Sequence, residues 1–183
     1  MRAHENEPIV VRRPVTAIAI PAGTEVKLKI GAVGYITQAL GGSFTVYVDG
    51  NLFRIAGSDA DAIGMTAAKA PDVPPGATDD DIKNVVWQQL KSCYDPEIPV
   101  NIVDLGLIYE CAVLKNADCT RTVEIKMTLT APGCGMGEVL VQDVRDKVQI
   151  VPTVAQARVE LVFDPPWNHT MMSDEARLQT GMM

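Results

Sequence analysis

A cysteine framed by glycines, in the run Thr130-Ala-Pro-Gly133-Cys134-Gly135-Met-Gly137, is the strongest chemical lead in the chain. Ahead of it Val123, Ile125, Met127 and Leu129 alternate with Glu124, Lys126, Thr128 and Thr130, the period-two pattern of a half-buried strand. Behind it Met136, Val139, Leu140, Asp143, Val144 and Val148 recur every three or four residues, as on a helix. This spacing puts Cys134 at or beside a helix start, where unpaired backbone N–H groups and the positive dipole end favour thiolate over thiol. A thiolate there can attack an electrophile or capture a soft metal. Gly133 and Gly135 let a ligand or partner approach the backbone closely. The structural alternative is a small buried cysteine between close-packed glycines.

Two more features accompany it. The loop Asp95-Pro-Glu97-Ile-Pro-Val-Asn-Ile-Val-Asp104-Leu-Gly-Leu-Ile-Tyr109 feeds the strand beside the one that leads to Cys134. Its carboxylates, Asp95, Glu97 and Asp104, either serve as ordinary turn and cap residues or line a site facing Cys134. His169 follows Asp164-Pro-Pro-Trp-Asn168, just past a third strand whose end should share a sheet edge with Cys134. It offers either a Cys–His couple or the cap of a terminal helix, and Trp167 is expected to anchor the C-terminal segment. Cys93 and Cys111 fall on apolar faces and read as core, while Cys119 sits in a polar turn. The four cysteines form no CxxC pair and lack tetrahedral zinc spacing. One chain thus supplies a single persuasive soft ligand. Any metal or cluster would need ligands from a second subunit, a client, or oxygen and nitrogen donors.

The elements that must position these residues divide at Ala67-Ala-Lys-Ala-Pro71-Asp-Val-Pro74-Pro75-Gly76-Ala77, whose prolines and glycine suit neither helix nor central strand. Residues 9–66 read as a small all-β domain, a barrel or meander, with strands at Val15–Ile20, Val26–Ile30, Val33–Leu40, Phe44–Val48 and Leu52–Ala56. Asp49-Gly50 predicts a tight hairpin, and Ser58–Met65 a single helical turn. Residues 67–77 are the linker, and 78–183 a second domain with a C-terminal tail. That domain opens with a capping box, Thr78-Asp-Asp-Asp81, followed by a helix with Ile82, Val85, Val86, Leu90 and Cys93 on one face. A strand follows with Leu107, Tyr109, Cys111 and Val113 on one face, then the strand towards Cys134, the Met136–Val148 helix and a third strand bearing Ala157, Val159, Leu161 and Phe163. The order helix, strand, strand, helix, strand predicts an α+β domain. Its first two strands pair antiparallel, a right-handed crossover sets the third parallel to the second, and the helices cover one face of the mixed sheet.

The 183 residues carry a net charge of −7. Residues 1–76 hold seven Lys/Arg against seven Asp/Glu, so the entire excess lies in residues 77–183, with nine against sixteen. An acidic half without a basic stripe speaks against nucleic acid and anionic membranes, and suits either solubility or a basic partner. No apolar run reaches the roughly 18 residues of a membrane span. The polar first residues lack the apolar core of a secretion signal, and the cysteines form no disulfide framework, so a reducing, cytoplasmic setting is expected. The glycine-rich turns of the first half lack the lysine and helix of a phosphate loop.

The loop Asp95–Tyr109 resembles the signature D-P-E-[IL]-x-x-x-[IV]-[VI]-D-L-G-L-[IV]-[YR], and Thr128-Leu-Thr130-Ala-Pro-Gly-Cys134 resembles its companion T-x-T-x-x-x-C. Together they are similar to the metal–sulfur cluster assembly domain, known from phenylacetate-oxygenase maturation subunits, cytosolic iron–sulfur targeting factors and carrier ATPases. The resemblance implies an accessory factor in iron–sulfur maturation rather than an enzyme. Cys134 maps to the family's cysteine and would ligate iron or a cluster transiently, shared between two subunits if the protein is a homodimer. Asp95, Glu97 and Asp104 map to its acidic loop, and Thr130, Gly133, Gly135 and His169 would line the site. The implied partners are the iron–sulfur assembly machinery and apo client proteins. Two alternatives stay open on the residues alone: a thiol enzyme with Cys134 as nucleophile and His169 as base, and a non-catalytic adaptor in which Cys134 only packs.

Overall fold

The computed structural model describes residues 6–95, 98–133 and 135–181. It is a mixed α+β structure with two compact units, Met1–Lys69 with Gly135–Val139, and Ala70–Cys134 with Leu140–Met183.

The first unit holds one antiparallel six-stranded sheet, in the order β1-β4-β5-β6-β2-β3. Its strands are β1 (Pro8–Val10), β2 (Val15–Ile20), β3 (Glu25–Leu28), β4 (Val33–Leu40), β5 (Ser43–Val48) and β6 (Asn51–Ile55). The β5–β6 hairpin closes at Asp49 and Gly50, whose φ angles of 48° and 84° meet the demand of a two-residue turn for two left-handed residues. Alternation then sends Phe44, Val46 and Val48 inward with Ile36, Phe53 and Ile55. On the opposite face Tyr35 and Tyr47 pair across β4 and β5, with ring centroids 5.2 Å apart. A 3-10 helix, Gly57–Ile63, buries Ala60, Ala62 and Ile63, and Arg13 holds it by contacts of 2.8 Å to Asp59 and 2.6 Å to Asp61.

The second unit follows the expected element order. Helix α1 (Asp79–Leu90) starts at a complete capping box: Asp81 N–H donates to Thr78 Oγ1 at 3.2 Å, and Thr78 N–H donates to Asp81 Oδ2 at 2.9 Å. The hydrogen bonds from Thr78 hold the Asp81 carboxyl below the usual carboxylate range. Strands β7 (Ile108–Lys115) and β8 (Arg121–Met127) pair antiparallel, and β9 (Val154–Leu161) returns parallel to β8 after helix α2 (Gly137–Gln149). One core contains Ile82, Val86 and Leu90 of α1, Leu140, Val144 and Val148 of α2, and the strand residues Cys111, Val123, Ile125 and Met127. Arg121, at the start of β8, donates to Asp79 Oδ1 (2.8 Å), the Ala77 carbonyl (3.0 Å) and Thr153 Oγ1 (2.8 Å), fastening the start of α1 to the sheet. Within α2, Lys147 Nζ lies 2.9 Å from Asp143 and 2.6 Å from the Ser92 carbonyl, a buried ion pair that also ties α2 to the turn after α1.

One sequence expectation is corrected in β7. Ile108 pairs with Met127 and Glu110 with Lys126, so Tyr109 is the extra residue of a bulge. Leu107, Cys111 and Val113 meet the core as expected, Ile108 joins them, and Tyr109 alone leaves the alternation. The freed Tyr109 hydroxyl donates to the Pro165 carbonyl at 2.7 Å.

Candidate functional site

The turn that follows β8 is the stem of the glycine-framed segment. Thr128 and Leu129 are buried, Thr130 is half-buried, and Ala131, Pro132 and Gly133 are exposed. Gly133 has φ +77°, and no heavy atom lies within 4 Å of where a Cβ would stand. Only the left-handed backbone requires glycine there. Gly135 is exposed, and α2 begins at Gly137 with Glu138 in its first turn. Cys134 and Glu97 lie outside the described residues.

The acidic loop is built on its own backbone. Asp95 is buried, and its Oδ1 accepts from Ile98 N–H at 2.8 Å. Asn101 is the hub: its Oδ1 accepts from Val103 N–H (3.1 Å) and Asp104 N–H (2.9 Å), while its Nδ2 donates to Asp104 Oδ2 (2.6 Å). Backbone bonds from Leu105 to Asn101, Gly106 to Val103 and Leu107 to Ile102, of 2.9–3.0 Å, complete two nested turns. Gly106 closes them at φ +73°. Asp95 and Asp104 are therefore engaged in turn-forming bonds. The loop's last carbonyl, on Leu107, accepts from Thr128 N–H at 2.8 Å, which joins the acidic loop to the stem of the turn that leads to position 134.

The C-terminal segment covers the same loop. Trp167 Nε1 donates to the Leu105 carbonyl at 2.7 Å, and Ser173 N–H to the Asp104 carbonyl at 2.8 Å. His169 opens an exposed 3-10 helix, His169–Met171, capped by Asn168, whose side chain accepts from Thr170 N–H at 2.9 Å. Asn101 and Gly106 are the positions that sequence reasoning passed over. An Asn three residues before an Asp and five before a Gly is the signal for this Asx-type turn.

Of the other cysteines, Cys93 and Cys111 are buried and Cys119 is exposed. Burial pushes the Cys111 thiol up, with nearby Lys83 opposing it. Among the described residues no three His, Cys, Asp or Glu side chains gather as a metal site would need. Among the same residues no helix is long and apolar enough to cross a membrane.

The acidic motif loop and the turn after the central strand β8 are thus joined through Leu107 and Thr128. The family model of iron–sulfur cluster assembly proteins matches residues 83–161, from α1 to the end of β9, and the chain belongs to that family. An Fe-S protein maturation auxiliary factor of Porphyromonas gingivalis is 46% identical over 98 residues, 54% of this chain and 90% of that protein. The maturation auxiliary factor SufT of Staphylococcus aureus is 36% identical over 88 residues, covering 48% of this chain and 96% of its own length. The Bacillus subtilis factor YitW is 33% identical over 101 residues, covering 55% and 95%. A crystal structure of a domain of unknown function, DUF59, from Bacillus anthracis superposes with a TM-score of 0.50 at 35% identity, over 57% of this chain and 95% of that one. Each relative is thus matched almost whole by about half of this chain.

Proposed function

We propose that this protein is an accessory factor in iron–sulfur protein maturation, which assists transfer of clusters to apo-proteins through Cys134. The cluster is its cargo. The observation that carries this reading is the family's motif pair meeting in space: the acidic loop ends on the backbone of Thr128, the first residue of the Thr128–Cys134 motif. A thiolate at position 134 would bind iron through sulfur, and a second subunit, the assembly machinery or the client would supply the remaining ligands. A homodimer sharing one cluster satisfies that need. Asp95 and Asp104 frame the loop, whereas Glu97, Thr130, Gly133, Gly135 and His169 border the cargo or the partner. The role is one of handing over rather than turnover, in the cytoplasm. The six-stranded sheet, read as a small barrel, adds a surface for protein partners.

Complementation tests this. In cells lacking the native protein, Cys134→Ser is expected to fold normally and fail to restore the activity of a cluster-dependent enzyme. Full restoration by that variant removes Cys134 from the mechanism.

A further inference from the structure

We infer that residues 164–181 form a strap that closes over the acidic loop and opens as a unit while the rest of the second unit stays folded. This goes beyond the maturation reading and does not depend on Cys134.

The strap begins three residues after β9 ends at Leu161, and makes no strand pairing of its own. It also lies beyond residue 161, where the family match stops. Pro165, Pro166, Asn168, His169 and Thr170 are all exposed. Helix α3 (Asp174–Thr180) has seven residues, too few to persist without tertiary support. Its attachment rests on a short set of contacts. Met172 and Ala176 enter the core, the half-buried Trp167 ring packs against it, Tyr109 Oη reaches the Pro165 carbonyl and Met171 Sδ, and two donors reach loop carbonyls: Trp167 Nε1 to Leu105 and Ser173 N–H to Asp104. A segment held by few buried side chains and a few hydrogen bonds opens at lower cost than a core strand.

The loop is shaped for this cover. A Cβ on Gly106 would stand 2.2 Å from the Met171 carbonyl oxygen, so the strap's backbone lies directly on a residue without a side chain. Opening would free the Asp104 and Leu105 carbonyls at one edge of the loop. The strap thereby controls exposure of the motif loop.

Hydrogen exchange on the full chain tests the inference. Ser173→Pro deletes the donor to Asp104, and Ser173 at φ −62° with Met172 at ψ 149° already has the backbone that proline requires. Trp167→Phe keeps an aromatic ring and deletes the donor to Leu105. Ser173→Ala controls for the lost side-chain cap of α3. Both donor deletions are expected to speed exchange of the Leu105, Gly106 and Leu107 amides at least about tenfold. Val123, Ile125 and Val144 should stay within about twofold of the parent, and Ser173→Ala should leave the loop amides near parental rates. Unchanged loop amides in both donor deletions would overturn the strap. So would equal acceleration in β8 and α2, which would make residues 164–181 part of the global fold.

Discussion

Replacing Gly133 separates the backbone demand of the turn from its packing. At φ +77° an L-residue is strained, and the left-handed conformation costs about 1–2 kcal/mol. No heavy atom lies within 4 Å of a Cβ there, so steric overlap adds nothing. Gly133→Ala should therefore lower unfolding free energy by about 1–2 kcal/mol, with the urea m-value unchanged. Gly133→Asn should recover most of that loss, because asparagine tolerates the left-handed region. Gly106→Ala is the contrast: it meets similar strain at φ +73°, and its Cβ also falls 2.2 Å from the Met171 carbonyl oxygen. It should cost distinctly more, and asparagine should not rescue it. Equilibrium urea unfolding of the four variants reads these differences directly. A Gly133→Ala loss well above that of Gly106→Ala, or no recovery with asparagine at 133, would refute an open, backbone-limited turn.

The buried pair in α2 gives a second outcome. Lys147→Met removes the cation beside buried Asp143 and should cost about 3–5 kcal/mol, whereas Asp143→Leu combined with Lys147→Met should be far milder; a double variant as unstable as the single would contradict this. A third concerns the capping box. The folded-state pKa of Asp81 is depressed, so its contribution is complete above the unfolded value of about 4 and is lost as pH falls through the folded value. The stability advantage of the parent over Asp81→Asn, measured by urea unfolding, should shrink as pH falls below about 4; growth over that range would contradict the assignment. A fourth is chemical: in the folded protein the exposed Cys119 should react with iodoacetamide much faster than buried Cys93 and Cys111. Equal rates, read by peptide mass mapping, would contradict the burial.

Features written in local chemistry were legible in the residues. Thr78 and Asp81 announce a helix start, Asp49-Gly50 a hairpin, and the helix between β8 and β9 a parallel return. What stayed hidden depends on distant partners. Strand β1 has three residues, too few for a pattern, and exists through pairing with β4. The bulge at Tyr109 leaves the apolar alternation of its own strand undisturbed and shows only against β8. The cysteine and its flanking glycines stood out by composition, and the acidic loop by motif. The engagement of Asp95 and Asp104 in the loop's own turns did not, because a free and a turn-bound carboxylate look alike in a sequence. The strap's seat on Gly106 joins residues 65 positions apart. No local pattern carries that.

Anaerobic titration of the purified full-length protein with ferrous iron and sulfide, followed by visible absorbance, tests the role of Cys134 most directly. The native chain should develop thiolate-to-iron charge-transfer bands, and Cys134→Ser should not. Identical spectra from both proteins, with or without bands, would contradict cluster handling through Cys134.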